Sequence, residues 1–316
     1  MRAAVYVGQS VEIRDVPVPQ IQPNEVLVQV RACALNRSDL AGVSASAQKV
    51  VGMEWAGEIA QVGSEVHHFR VGERVMCTGT GGWADYAATD CGRVCPIPAE
   101  DFSFAEAATL PAALQTMHDA LITNGRLRAG ESVLVQGASS GVGLMALQIA
   151  RHCGASRVIG TSTDPARRKQ LGHWGADMAL DPRDPAWVQA VLDATGGRGV
   201  DLVIDQVSTP LFNQTMQATA VRGRIVNVGR LGGTSAEFDF NLHALKRINY
   251  IGVTFRSRSA EEIRTLNERM MADLWGAVRT RALRLPIDRD FKLDEAAAAM
   301  NHMRTNQHFG KITLSL

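Results

Sequence analysis

Over the first 112 residues apolar and polar positions alternate in short runs broken by Gly, Pro and Asn, the two-residue period of half-buried strands. This pattern predicts strands at 3–7, 11–16, 26–35, 55–62, 74–77 and 83–88, with weak helical periodicity. From about residue 130 the pattern changes to short apolar runs alternating with helical stripes. Residues 132–135, 157–161, 178–180, 201–205, 224–228 and 250–255 read as buried strands. Between them lie helices at 144–152, at 165–174 with Asp164 as N-cap and Pro165 in the first turn, after Asp184-Pro185, and after Pro210. Apolar strands linked by helical crossovers predict an α/β fold with a doubly wound parallel sheet. Past residue 255 the text becomes one long helix, about 260–279, then a strand, a helix and a closing strand at Gly310-Lys311-Ile312-Thr313-Leu314.

A length of 316 residues suits two cores better than one. With 33 basic and 32 acidic side chains, no strong field calls for nucleic acid or an anionic membrane. The short clusters Arg167-Arg168-Lys169 and Arg256-Ser257-Arg258 fit solvated faces or cofactor contacts better than a nucleic-acid stripe. Cys33, Cys77, Cys91, Cys95 and Cys153 form an odd, scattered set that fits a reducing compartment. Cys91 and Cys95 lie close together, but no second pair nearby completes a structural zinc site. His67-His68 sits in a polar turn and is expected to be solvated. Residues 1–7 run into a strand without a signal-peptide core, and nowhere do about 18 apolar residues run together. A cytoplasmic protein without a membrane span is expected.

The clearest candidate for chemistry is Gly137-Ala138-Ser139-Ser140-Gly141-Val142-Gly143, set between an apolar strand and a helix. A pyrophosphate at that turn meets helix N-terminal amides and the positive end of the helix dipole. Ala138 and Ser140 stand where the usual motif has glycines, yet the strand-turn-helix context supplies what the motif alone lacks. Ala138, Ser139, Ser140, Gly141, Val142 and Gly143 are therefore candidate cofactor contacts. Ser162 ends the second strand, where NAD-dependent proteins place an acidic residue for the ribose hydroxyl. With Arg167 one turn on, this arrangement favours the 2′-phosphate of NADPH.

Three further segments carry a resemblance: Ala32-Cys33-Ala34-Leu35-Asn36-Arg37-Ser38-Asp39, then Gly52-Met53-Glu54-Trp55-Ala56-Gly57, then Gly81-Gly82-Trp83-Ala84-Asp85-Tyr86. With the phosphate turn, Gly223-Arg224-Ile225-Val226 and Gly310-Lys311-Ile312, in this order, the chain resembles the zinc-independent quinone oxidoreductase (zeta-crystallin-like) family of medium-chain dehydrogenases/reductases. Zinc members of that superfamily carry Cys where Asn36 stands and His where Met53 stands. An amide oxygen and a thioether are poor replacements as Zn²⁺ ligands, so no metal site is expected.

The resemblance implies a GroES-like β-rich catalytic domain, 1–112 with 256–316, and a Rossmann dinucleotide-binding domain, 113–255. It also implies a homodimer and NADPH-dependent reduction of quinones or of double bonds conjugated to a carbonyl. By the same resemblance Asn36 and Asp39 border the substrate with Met53, Val207 follows the fourth Rossmann strand near the nicotinamide, and Gly229, Arg230 and Leu231 cap the fifth as further cofactor contacts. Asn36 either donates to a substrate or ribose oxygen, or ties its own loop together with Asp39 as turn residues do. His118 stands where relatives commonly place an aromatic, as a structural residue or a substrate contact. Related reductases often carry a tyrosine after the Asn-x-x-Asp segment as a candidate proton donor, whereas the loop 40–51 has none and is small-sided. Water is expected to supply the proton, with Asn36 and His118 orienting the oxygen. Competing readings are a carbonyl or alcohol dehydrogenase, with or without zinc held by other ligands, and a non-catalytic NADPH- or RNA-binding protein.

Overall fold

The computed structural model describes residues 1–8, 10–44 and 49–316. Residues 45–48, inside the loop expected to be small and without aromatics, lie outside the described residues. The chain divides into two compact units, Met1–Ala113 with Ser259–Leu316, and Leu114–Arg258.

In chain order the first unit supplies β1 (Arg2–Val7), β2 (Ser10–Asp15), β3 (Glu25–Ala34), β4 (Glu54–Val62), β5 (Arg74–Thr78), β6 (Tyr86–Asp90), β7 (Val94–Pro96), α1 (Phe104–Ala108) and the start of α2 (Pro111–Met117). The second unit runs β8 (Ser132–Gln136), α3 (Gly141–His152), β9 (Arg157–Thr161), α4 (Pro165–Gln170), β10 (Met178–Leu180), α5 (Trp187–Ala194), β11 (Val200–Asp205), α6 (Phe212–Ala218), β12 (Thr219–Asn227), α7 (Phe240–Lys246) and β13 (Asn249–Gly252). The chain then returns to the first unit as α8 (Ala260–Arg279), β14 (Ile287–Lys292), α9 (Ala296–Arg304) and β15 (Lys311–Ser315).

The second unit's sheet has the order β10-β9-β8-β11-β12-β13, all parallel. This is the doubly wound sheet that the alternating pattern predicts. In the first unit β3 is central: it pairs antiparallel with β15, β4 and β6, and the sheet continues as β14-β15-β3-β4-β5-β7. Trp55 and Trp83 are fully buried in its core. Gly52, at φ +104°, lies where any Cβ would stand 2.2 Å from the Trp83 ring, so the chain entering β4 is locked against that indole.

Some boundaries differ from the sequence pattern. The strand expected at 83–88 runs from Tyr86 to Asp90, because residues 83–85 bond β1 through Ala4 N to Trp83 O and Asp85 N to Arg2 O. The helix at 165–174 tightens into a 3₁₀ turn at Leu171–Trp174, and β12 begins at Thr219 rather than 224. Helices α1, α2 and α7 are too short to impose a clear period on their segments.

Candidate active site

Antiparallel pairing sets Cys33 of β3 opposite Trp55 of β4, which brings Asn36, just past β3, beside Glu54, the first residue of β4. Asn36 Nδ2 donates to Glu54 Oε1 at 2.8 Å. Lys311, which opens β15, donates from Nζ to Asn36 Oδ1 at 3.0 Å and also to Glu54 Oε1. Glu54 Oε2 accepts from the Ala112 backbone N–H at 2.9 Å, in the first turn of α2. Glu54 is 0 % exposed and Lys311 4 %. A buried ion pair is tolerated only when its geometry and remaining hydrogen bonds offset desolvation, and here Asn36 and Ala112 provide those bonds.

The loop beyond Asn36 closes on itself. Asp39 N donates to Asn36 O at 2.9 Å, and Asn36 N donates to Asp39 Oδ2 at 2.7 Å. Tyr6 Oη donates to Asp39 O at 2.7 Å. Asp39, expected to border the substrate, thus has a buried carboxylate engaged inside its own turn. Burial pushes its pKa up to about 7, with Glu54 adding to the rise and the Asn36 amide and Lys311 opposing it. Met53 is half-buried, and its Sδ accepts from Ser38 Oγ at 2.9 Å.

In the second unit the phosphate turn follows β8. Ser140 caps α3 by accepting from Gly143 N at 3.1 Å. A Cβ on Gly143 would stand 2.6 Å from Gly137 O, so only glycine lets the helix begin this close to the turn. The first-turn amides of Gly141 and Val142 have no intrahelical acceptor by helix geometry, and they present the positive end of the twelve-residue α3. Ala138 is buried beneath this turn, where its amide donates to Thr161 O. Ser139 and Ser162 meet, with Ser162 Oγ 3.1 Å from Ser139 Oγ. These residues fit a dinucleotide pyrophosphate.

Around Ser162 the charges are arranged by ion pairs. Arg167 Nε stands 3.6 Å from Asp164 Oδ2. Arg168 Nη1 donates to Ser162 O at 2.7 Å and to Asp181 Oδ2 at 3.2 Å. Arg183, absent from the expected site, donates to Thr163 O at 2.5 Å and to Asp181 Oδ1 at 3.0 Å, and its side chain stays 66 % exposed. Its position after the third strand of the sheet, in Asp181-Pro182-Arg183, was the available signal.

The loops leaving β11 and β12 are stapled together. Asp205 Oδ1 accepts from Val207 N and Ser208 N, each at 2.9 Å. Ser208, at φ +65°, donates from Oγ to Gly229 O at 2.9 Å, and Leu231 N donates to Gln206 O at 3.2 Å. Gln206 Oε1 also accepts from Ser140 Oγ at 2.9 Å, which ties these loops to the phosphate turn. Val207, Gly229 and Leu231 are thereby brought to the α3 end of the sheet. Arg230 lines a pocket of about 240 Å³ with Ser208, Phe212, Asn227, Phe238 and Tyr250. His118 is buried and opens a π-helical turn, His118–Asn124, that continues α2. Asp119 beside it bonds Arg258 through both carboxylate oxygens at 2.8 Å; burial raises the Asp119 pKa against that guanidinium.

Comparison with known proteins agrees with both units. Residues 22–113 match the alcohol dehydrogenase GroES-like domain and residues 141–272 the zinc-binding dehydrogenase domain. The rat quinone oxidoreductase is 30 % identical over 311 residues, covering 96 % of this chain and 92 % of that protein. A low-reducing polyketide synthase of Aspergillus calidoustus, drtA, is 29 % identical over 306 residues, 94 % of this chain. There the chain spans only 13 % of the relative's length. Among solved structures, mycobacterial Rv1454c complexed with NADPH superposes with a TM-score of 0.90 at 24 % identity, over 100 % of both chains, and shares the fold. The GroES-like first unit, the doubly wound second unit and this near full-length identity show that the chain belongs to the quinone oxidoreductase-like family of the medium-chain dehydrogenase/reductase superfamily.

Proposed function

We propose that the protein is an NADPH-dependent, zinc-independent reductase of quinones or α,β-unsaturated carbonyl compounds. When bound, the nicotinamide supplies the hydride. The amides of Gly141 and Val142 hold the pyrophosphate at the α3 N-terminus, with Ser139 and Ser140 completing the turn. Ser162 and Arg167, joined by the exposed Arg183, receive the adenosine 2′-phosphate in charge-assisted bonds. The NADPH complex formed by the mycobacterial relative supports this choice.

The observation that carries the metal-free reading is the Lys311 ammonium, 3.0 Å from the Asn36 amide oxygen, where zinc members of the superfamily hold a ligand. A cation hydrogen-bonded to that oxygen repels a second cation there, and Met53 offers only a thioether. Reduction of a conjugated carbonyl gathers negative charge on its oxygen, and an aligned N–H donor lowers that cost. Asn36 is that donor in this reading; His118, buried at the π-helical turn, is the secondary candidate. With Asp39 engaged in its own turn and no tyrosine in the following loop, water delivers the proton.

The same reading makes the protein a cytoplasmic homodimer. Among the described residues the edge strand β13 pairs only with β12; Tyr250 on it is 44 % exposed, and Phe240 and Leu245 of α7, which packs on β12, are 78 % and 69 % exposed.

The test is NADPH oxidation against simple quinones, 2-alkenals, enones and acrylate-type acids, with Asn36→Ala compared on the best substrate. The variant should lose about ten- to a hundredfold in kcat/KM, on the order of 1.4 to 2.7 kcal/mol. Unchanged kinetics would remove Asn36 from the mechanism.

A further inference from the structure

We propose that Lys311 and Glu54 are positioning residues that fix the Asn36 amide in one orientation and keep one of its N–H bonds available for a substrate oxygen; the second half rests on the reading of Asn36 given above. A primary amide has two ends of similar shape and opposite hydrogen-bonding character. Lys311 has only donors, so the atom it meets at 3.0 Å must be the oxygen. A carboxylate has only acceptors, so the atom meeting Glu54 Oε1 at 2.8 Å must be the nitrogen. Turning the amide over would set an NH₂ group against an ammonium and a carbonyl against a carboxylate. Both contacts are repulsive, and burial of the pair leaves them poorly screened.

The pair is itself held. Glu54 Oε2 is fixed by the Ala112 amide, and the Lys311 backbone N–H donates to Pro286 O at 2.9 Å. One hydrogen of Asn36 Nδ2 goes to Glu54, which leaves the second on a side chain that is only half-buried. An ion pair kept only for stability has no need to touch both polar ends of a neighbouring amide. This one does, and the amide it grips stands at the position assigned to oxygen binding.

The test uses the full-length protein carrying Lys311→Met with Glu54→Gln, a neutral pair that strands no buried charge, with Lys311→Met alone as a second variant. In protein labelled with ¹⁵N-asparagine, the Asn36 side-chain resonances are identified by their loss in Asn36→Ala. They should show two well-separated, slowly exchanging protons in the parent and shift together with faster rotation in both Lys311 variants. With NADPH, the double variant should lose about fivefold or more in kcat at unchanged NADPH Kd, and should cost less than about twofold when added to Asn36→Ala. Unchanged Asn36 resonances, or an equal loss in the parent and Asn36→Ala backgrounds, would overturn the proposal. If no quinone or enone is reduced at all, the reductase reading fails while the resonance comparison still decides whether Lys311 and Glu54 set the amide.

Discussion

Asp39→Asn should change how the stability of the first unit depends on pH, and the sign follows from its surroundings. Burial pushes the Asp39 pKa from its ordinary 3.8 up to about 7. The folded unit therefore holds this proton more tightly than the unfolded chain does. The resulting stabilisation is fully present below pH 3.8, declines as pH rises and is gone above pH 7. At about 1.36 kcal/mol per tenfold in proton affinity, the span amounts to about 4 kcal/mol at most. An asparagine stays neutral throughout and keeps an oxygen for the Asn36 N–H. Denaturant unfolding at a series of pH values between these limits, with hydrogen exchange of β3 peptides reporting the first unit by itself, gives the difference between variant and parent. That difference should move in favour of Asp39→Asn by about 2 to 4 kcal/mol on going from acid to neutral pH. A difference that stays flat across the range would show that Asp39 titrates in the folded protein as it does in the unfolded chain, and that the burial argument fails.

NADPH should be preferred to NADH by at least about tenfold in kcat/KM, about 1.4 kcal/mol, with Ser162→Asp or Arg167→Ala eroding the preference; equal values would reduce the basic cluster to a solvated helix face. Turnover should survive a metal-selective chelator, because an ammonium already occupies the Asn36 oxygen; loss of activity with recovery on adding zinc would sink the metal-free reading. Light scattering should give twice the chain mass, and Tyr250→Glu with Phe240→Glu should halve it; a monomeric parent would show that the exposed β13 edge is not an interface between copies.

The fold class was legible because its signal is local. The strands β8, β10 and β11 of the second unit read as short apolar runs, and the candidate pyrophosphate contacts sit in one contiguous turn where Gly143 is demanded by the closeness of Gly137 O. The turn that joins Asp39 to Asn36 was one of the two readings the sequence left open, since the residues lie only three apart. What the sequence hid depends on register between distant strands. Lys311 reaches Asn36 across 275 residues, a juxtaposition created only when β15 pairs with β3 beside β4. Arg183 reaches Thr163 only because β10 lies next to β9, and Gln206 meets Ser140 only because β11 lies next to β8. A lysine at the head of the closing strand, Lys311–Ser315, was nonetheless visible in the sequence. In the sequence Lys311 carried only the resemblance of Gly310-Lys311-Ile312; its burial, and with it the need for an anionic partner, arises from the pairing of β15 with β3. Glu54, set between Met53 and Trp55, was the acidic residue in the segment that the lost metal ligands had singled out. In the metal-free reading proposed above, the positive charge beside Asn36 is an ammonium held by Glu54 and turned on the amide oxygen of Asn36.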